Sequence, residues 1–485
     1  MQTVQQHASL FVGGVPSEAR DSVPVRNPAR FRETVGLVDV GTPADVDVAV
    51  AAAEDAFPGW SRMGAPARAR CLLAAAEALE QDAAARARLL TREHGKVVWE
   101  SEQRDVRAAI GILRYYCGLA EQFEHETVTE DKRGKIVIAR RPIGVAAISP
   151  WNFPITLCFL MLAPLLVAGN TAVVKPPTFV PLALDETLRI LGQHLPPGVL
   201  NSVPGPGGVI GAALATHPRV RKVSFTGSTE VGRELIRACA GTVKVMSMEL
   251  GGNDPALVLE SATLSDKLIR DLVAATFTSS GQICYAVKRV YVHRSHYREF
   301  VDRFSAAVDE IVVGDGLDPA STIGPLNNKP QFDAVSALVA RTRAGGATVC
   351  TLGQKGAVED WGGGYFMLPA VVTDAAPHDE IVTCEQFGPV VPILPFDSED
   401  EAIALANDSE YGLAASVWTD DVDHGFAVGA RIQAGSAFVN THRLGASDAT
   451  MPFGGFKQSG LGRGHGVVAL EEASELQTLA HRIDM

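Results

Sequence analysis

Between Ile143 and Glu249 the chain alternates short β-rich pieces with helical ones, and few architectures accept that rhythm. The β-rich pieces are G144-V-A-A-I-S, T171-A-V-V-K, V199-L-N-S-V, K222-V-S-F and V243-K-V-M-S-M, with helical segments beginning near Ile155, Ala183, Gly208 and Thr229. Strands joined by crossover helices pair in parallel and carry helices on both faces. The prediction is therefore a doubly wound sheet whose ligands sit at the carboxyl ends of its strands. A second alternating set starts at Ala256 and runs through R289-V-Y-V-H and A415-S-V-W-T to S436-A-F-V-N440, which predicts another α/β domain. At Thr42-Pro43 a helix begins, because Thr caps, Pro suits the first turn and Asp45 suits its positive end. Ala-rich helical pattern then continues to about Ala120, with breaks expected near Pro58 and Pro66. H125-E-T-V-T-E and K135-I-V-I-A-R flank the turn-prone D131-K-R-G134, which reads as a projecting β hairpin.

A length of 485 residues exceeds one compact core and implies two or three domains. The formal net charge of −13 argues against nucleic acid as a partner, because phosphate binding needs a basic face. Seven scattered cysteines, none spaced C-x-x-C, give neither a disulfide framework nor a zinc site, and a reducing compartment follows. M1-Q-T-V-Q-Q-H lacks the basic and apolar regions of a signal peptide. The apolar run Pro154 to Ala168 is interrupted by Pro164 and falls short of the ~20 residues that cross a bilayer, so no membrane contact is expected. Cytoplasm is the default. H293-R-S-H296 has the wrong spacing for a helical zinc pair, so no metal is expected.

The chemistry concentrates between Met248 and Lys288. M248-E-L-G-G-N-D carries Glu249 beside a Gly251-Gly252 turn, and S279-S-G-Q-I-C-Y-A-V-K288 carries Cys284 in a small, polar loop. A thiol attacks a carbonyl carbon better than a hydroxyl does, and a carboxylate at a strand end can take a proton from the water that frees a thioester. Taken alone, the thiol reads as a small buried apolar residue. Its flanks decide otherwise. They are E-L-G-G from Glu249, G-Q-I-C ending at Cys284, P-W-N-F-P from Pro150 to Pro154, F-T-G-S-T-E-V-G from Phe225 to Gly232, E-Q-F-G-P from Glu385 to Pro389, and M-P-F-G-G-F-K-Q-S-G from Met451 to Gly460. These stretches resemble the motifs of the aldehyde dehydrogenase superfamily, and the likeness spans roughly residues 20 to 480.

That resemblance implies two Rossmann-like α/β domains plus a small β oligomerisation hairpin. Residues 1–120 and 142–250 would form the dinucleotide-binding domain, 251–465 the catalytic domain, and 121–141 with 466–485 the oligomerisation segments of a homodimer or homotetramer. Cys284 is implied as nucleophile, Glu249 as the base and Asn152 as an oxyanion donor beside the Cys284 amide. Cofactor contacts are implied at Ser149, Pro150 and Trp151 before Asn152. Lys175 and Thr178 in V173-V-K-P-P-T178, Gly208 in G205-P-G-G208, and Phe225 through Thr226 and Gly227 to Ser228 would add to them. Leu250, Gly251, Glu385 and Phe387 complete the set. The cofactor would be NAD or NADP. Thr178 stands where NAD-preferring members carry a glutamate, and a hydroxyl can donate to a 2′-phosphate that a carboxylate would repel. K-P-P-T is similar to the non-phosphorylating glyceraldehyde-3-phosphate dehydrogenase branch, which uses NADP.

Departures from the pattern are Asn253, where members often have Lys, and Gly464-His465 after Arg463, where many carry an acid. The latter puts an auxiliary proton path in doubt. Branches that acylate coenzyme A typically lack the glutamate present here as Glu249, so hydrolysis to a free acid is implied. Two rivals remain at this stage. A thiol esterase or hydrolase would share the fold, but no G-x-S-x-G occurs. A non-catalytic nucleotide-binding member would not need Cys284, Glu249 and Asn152 together. In N440-T-H-R-L-G-A-S-D448, by family position near the substrate entrance, His442 and Arg443 are either recognition groups for an anionic or hydroxylated aldehyde or a solvated pair.

Overall fold

The computed structural model describes residues 6–16, 21–123, 126–132, 134–148, 151–442 and 449–482. The five β-rich pieces between Ile143 and Glu249 become Val145–Ile148, Ala172–Lys175, Leu200–Ser202, Lys222–Thr226 and Val245–Glu249, all paired in parallel. Their spatial order places Lys222–Thr226 next to Val145–Ile148, the first strand next to the fourth. At that reversal the connections leave for opposite faces, which opens a crevice at the strand carboxyl ends. Glu249, Thr226 and Lys175 are each the last residue of their strand. Asn152 lies between the Val145–Ile148 strand and the helix Pro154–Val167.

The second sheet runs in the order Thr348–Thr351, Ala370–Thr373, Val390–Phe396, Val287–His293, Asp254–Val258, Ala414–Trp418 and Ser436–Val439. Only the first of these pairs antiparallel. Separate apolar clusters cover the faces of both sheets. The short strand Gly460–Leu461 pairs with Val245–Glu249, so a C-terminal segment closes the edge of the first sheet beside Glu249. That pairing crosses the division expected at 250/251.

The expected hairpin is present as Thr127–Asp131 and Gly134–Pro142, but it is not a lone hairpin. Ser474–Arg482 pairs with the second strand along its whole length, giving a three-stranded antiparallel sheet. The break expected at Pro58 does not occur, since the helix Pro43–Arg62 runs through it. Pro58 and Glu54, one turn earlier, are both exposed, so the carbonyl that the missing N–H leaves bare can be solvated. Pro66 instead lies in the first turn of the next helix, Ala65–Gln81, where proline is tolerated. Asp45 accepts from both the Thr42 amide at 2.8 Å and the Thr42 hydroxyl at 2.7 Å, fixing the first helix start.

Candidate active site

Cys284 sits between the helix Asp266–Phe277 and the strand Val287–His293, in a turn with an unusual backbone. Ser279, Ser280 and Gly281 all have positive φ, at 52°, 57° and 72°. Three successive left-handed residues store strain that their surroundings must hold. Glu100 Oε1 accepts from the Ser279 amide at 3.1 Å, the Ser280 hydroxyl donates to Gly324 O at 2.7 Å, and Gln282 Nε2 donates to Ser279 O at 3.1 Å. Position 281 also has no room, because a Cβ there would lie 2.3 Å from Gly388 O. Gly252 is equally constrained: a Cβ would lie 2.8 Å from Cys284 O, so the E249-L-G-G turn passes against the nucleophile's own backbone.

Asn152 reaches the same point from the first sheet. Its side chain is buried, and Nδ2 donates to Gln282 O at 3.2 Å, leaving a second amide hydrogen for another acceptor. Its backbone carbonyl accepts from Lys96 Nζ at 2.9 Å, and the same ammonium pairs with Asp105 Oδ2 at 2.7 Å, both side chains fully buried. The other Asp105 oxygen accepts from the Ile155 and Thr156 amides at 3.0 and 2.7 Å, at the start of the helix Pro154–Val167. A buried ion pair thus anchors the Asn152 loop and caps its helix.

Two cavities meet at Cys284. The larger, about 580 Å³, is lined among others by Lys175, Thr178, Phe225, Gly227 and Ser228, with Glu385 and Phe387 from the opposite sheet. Trp151, Thr226, Leu250 and Gly251 also face it. The smaller, about 300 Å³, contains Glu249 and an apolar wall that includes Ile112, Phe153, Leu160, Met161 and Phe453. Asn152, Thr226, Leu250 and Cys284 line both. Both volumes lie in the range of small-molecule sites.

The charges of the site are strongly displaced. Burial pushes the Cys284 thiol up to about 12, with the Lys288 ammonium opposing and Glu385, Asp254 and Glu249 reinforcing. Burial thus favours the thiol over the thiolate. Burial also holds Glu249 well above the usual carboxylate range, Arg463 and the Gly464 amide opposing and Glu472 adding to it. Glu249 Oε2 has no hydrogen-bond partner among the described residues. Burial likewise raises Glu385, which accepts from the Gly252 amide at 3.3 Å.

The larger cavity suits a dinucleotide. Lys175 is buried at a strand end, its Nζ bonded to Pro176 O at 2.7 Å and 3.5 Å from Thr178 Oγ1, and burial lowers it to about 8. Ser228 caps the helix Thr229–Cys239, its Oγ accepting from the Val231 amide at 3.3 Å, which leaves its O–H free to donate. Trp151 and Phe387 meet edge to face, ring centres 5.5 Å apart.

Not every expected residue lies here. Gly208 does not line the cavity, whereas Gly207 and Gly211 of the same turn do. His442 is not a recognition group. It is buried, with Nε2 donating to Tyr285 O and Nδ1 accepting from the Ser416 hydroxyl, both at 2.8 Å, and burial lowers it to about 4. Both ring nitrogens are thus taken, Nε2 by the carbonyl of the residue after Cys284 and Nδ1 by Ser416. Arg443, Ser149 and Pro150 lie outside the described residues. Conversely, Gln331 lines the larger cavity and donates to Gln386 O and Phe387 O at 3.2 and 3.0 Å, holding Phe387 at φ 47°. The apolar wall of the smaller cavity also had no sequence signal. It assembles from residues near 108, 157, 283 and 453, which share no motif.

The family model described as "Aldehyde dehydrogenase family" matches residues 15–479. A geranial dehydrogenase of Castellaniella defragrans is 37% identical over 466 residues, covering 94% of this chain and 95% of that protein. A phenylacetaldehyde dehydrogenase of Pseudomonas fluorescens is 37% identical over 483 residues, covering 97% and 95%. The NAD+ complex of an aldehyde dehydrogenase from Bacillus cereus superposes with a TM-score of 0.94 at 34% identity, covering 99% of this chain and 97% of that one.

Proposed function

The chain belongs to the aldehyde dehydrogenase family, and we propose that it oxidises an apolar aldehyde to the free carboxylic acid with a nicotinamide dinucleotide as oxidant. The observation that carries this reading is the meeting of two cavities at one thiol, one edged by a strand-end lysine, the other holding a half-buried glutamate beside a largely apolar wall.

In this mechanism Cys284 loses its proton and its sulfur adds to the aldehyde carbon. The oxygen that becomes negative is met by the remaining Asn152 amide hydrogen and the Cys284 amide. The larger cavity, with Lys175, Ser228, Glu385 and Phe387, would hold NAD(P)+, which would supply the acceptor for the hydride that leaves as the thiohemiacetal becomes a thioester. Glu249 then takes a proton from water, which attacks the thioester and releases the acid. Asn152 is held for this task by the Lys96–Asp105 pair, and water reaches the thioester from the chamber that contains Glu249.

The substrate reading departs from one of the two alternatives open for His442 and Arg443, recognition of an anionic or hydroxylated aldehyde. His442 is engaged elsewhere, and Ile112, Phe153, Leu160, Met161 and Phe453 offer apolar contact. The relatives named for geranial and phenylacetaldehyde fit the same reading. For the cofactor, Lys175 beside Thr178 supports acceptance of NADP as well as NAD, since neither would repel a 2′-phosphate. A dimer or tetramer built through the three-stranded sheet belongs to the same proposal.

The test is an aldehyde panel followed by absorbance of the reduced nicotinamide, with NAD and NADP side by side. Apolar aldehydes should give the higher kcat/KM, and Cys284→Ala should remove turnover. Undiminished turnover in Cys284→Ala, or a preference for anionic aldehydes, would overturn the reading.

A further inference from the structure

Lys288 opens the strand after the nucleophile loop, and its side chain is only 3% exposed. An ammonium in the interior needs acceptors and counter-charge. Its Nζ turns back along the chain to Ile283 O at 2.6 Å, Cys284 O at 3.1 Å and Ala286 O at 3.5 Å. Three carbonyls thus take its donor hydrogens but neutralise none of its charge. The nearest carboxylate oxygen, Glu385 Oε1, stands 3.9 Å away, and the Phe387 ring centre lies at 5.7 Å. Asp254, from the neighbouring strand and 1% exposed, also faces this charge, with Arg289 acting on Asp254 from the same side. His442 is close enough for Lys288 to bear on it, and it is neutral.

We propose that Lys288 is a positioning residue for the nucleophile, clamping the carbonyls of the two peptides that flank Cys284 and supplying the buried positive charge against which the Cys284 thiolate forms. This rests on the reading of Cys284 as nucleophile. In the step concerned the S–H bond breaks, the proton leaves through the cavities to water, and sulfur keeps the electron pair. Glu385, Asp254 and Glu249 all oppose that ionisation, and Lys288 is the cation that favours it. The clamp directs the loop while the charge sets the proton equilibrium, so one side chain couples geometry to reactivity.

The test measures alkylation of Cys284 by iodoacetamide across pH, read on the Cys284 peptide by mass spectrometry, in the parent, Lys288→Met, Lys288→Arg and Asp254→Asn. Alkylation follows thiolate, so a displacement of one pH unit changes the rate tenfold at a fixed pH below the titration. Lys288→Met should react about tenfold or more slowly at neutral pH with its profile moved to higher pH. Lys288→Arg should keep most of the parent rate. Burial raises Asp254 to about 8, so Asp254→Asn removes an opposing anion in the alkaline range and should move that part of the profile to lower pH. A folded Lys288→Met with the parent profile overturns the proposal. If Lys288→Met does not fold, Asp254→Asn decides: no displacement, or one to higher pH, overturns it. Iodoacetamide needs neither aldehyde nor cofactor, so a failure to oxidise aldehydes would count against the proposed function without touching this result.

Discussion

At the scale of single residues, the site sets a thiol and a carboxyl group side by side, both with pKa values raised by burial, and each must be ionised to act. Glu249 is a base only in its ionised form. Because burial raises its pKa well above the usual carboxylate range, its ionised fraction grows as pH rises through that displaced value. Where thioester hydrolysis limits turnover, kcat should therefore rise with pH over that range, by up to about tenfold per unit. A flat steady-state profile over that range would contradict the base role. Thr178 is testable separately. Thr178→Glu should leave kcat/KM for NAD within a few fold and lower that for NADP by about tenfold or more, because a carboxylate would face the 2′-phosphate. The residue scale was also where the sequence was most legible. Cys284, Glu249 and Asn152 stood out because each sits in a stretch that resembles an aldehyde dehydrogenase motif, and without those stretches the thiol reads as a small buried residue. His442 was misread because an isolated histidine has no periodicity that tells a buried hydrogen-bonded ring from a ligand-facing one.

At the scale of elements, reactivity depends on how two loops are held. The Asn152 loop hangs on Lys96 and Asp105, buried residues from an earlier helical region. Their pairing is tertiary and left no mark in the Ala-rich stretch around them, so the sequence could not reveal it. Lys96→Met would strand the Asp105 carboxylate, and loss of one partner of a buried pair costs about 3–5 kcal/mol. Urea unfolding should register that loss, with kcat falling as Asn152 shifts. Gly281→Ala tests the nucleophile turn: at φ 72° and 2.3 Å from Gly388 O, a methyl group must displace the loop. Since ~1 Å misplacement can cost about 10²-fold, kcat should drop by roughly that factor while cofactor binding persists. Strand and helix existence was readable from alternation alone. The uninterrupted helix at Pro58 was not, because whether proline breaks a helix depends on whether the freed carbonyl can reach water.

For the molecule as a whole, the sheets face each other asymmetrically. The first offers its strand carboxyl ends, and the second offers the loops that enter its strands, those of Cys284 and of Glu385 to Phe387. The crevice between them was foreseeable for the first sheet from the doubly wound rule, whereas its division into two chambers that meet at Cys284 depends on packing between distant segments. The three-stranded sheet exposes Val128 and Leu479, which flank Val137 in one cross-strand row. Val128→Lys with Leu479→Lys should shift sedimentation toward a smaller species if this face joins subunits, and an unchanged profile would remove it from the interface. The account turns on two half-reactions at one sulfur, and the most direct measurement is the mass of Glu249→Gln after mixing with aldehyde and NAD(P)+. It predicts one equivalent of reduced nicotinamide formed rapidly and a stable acyl group on the Cys284 peptide. Full turnover without any adduct, or an adduct on another cysteine, would contradict it.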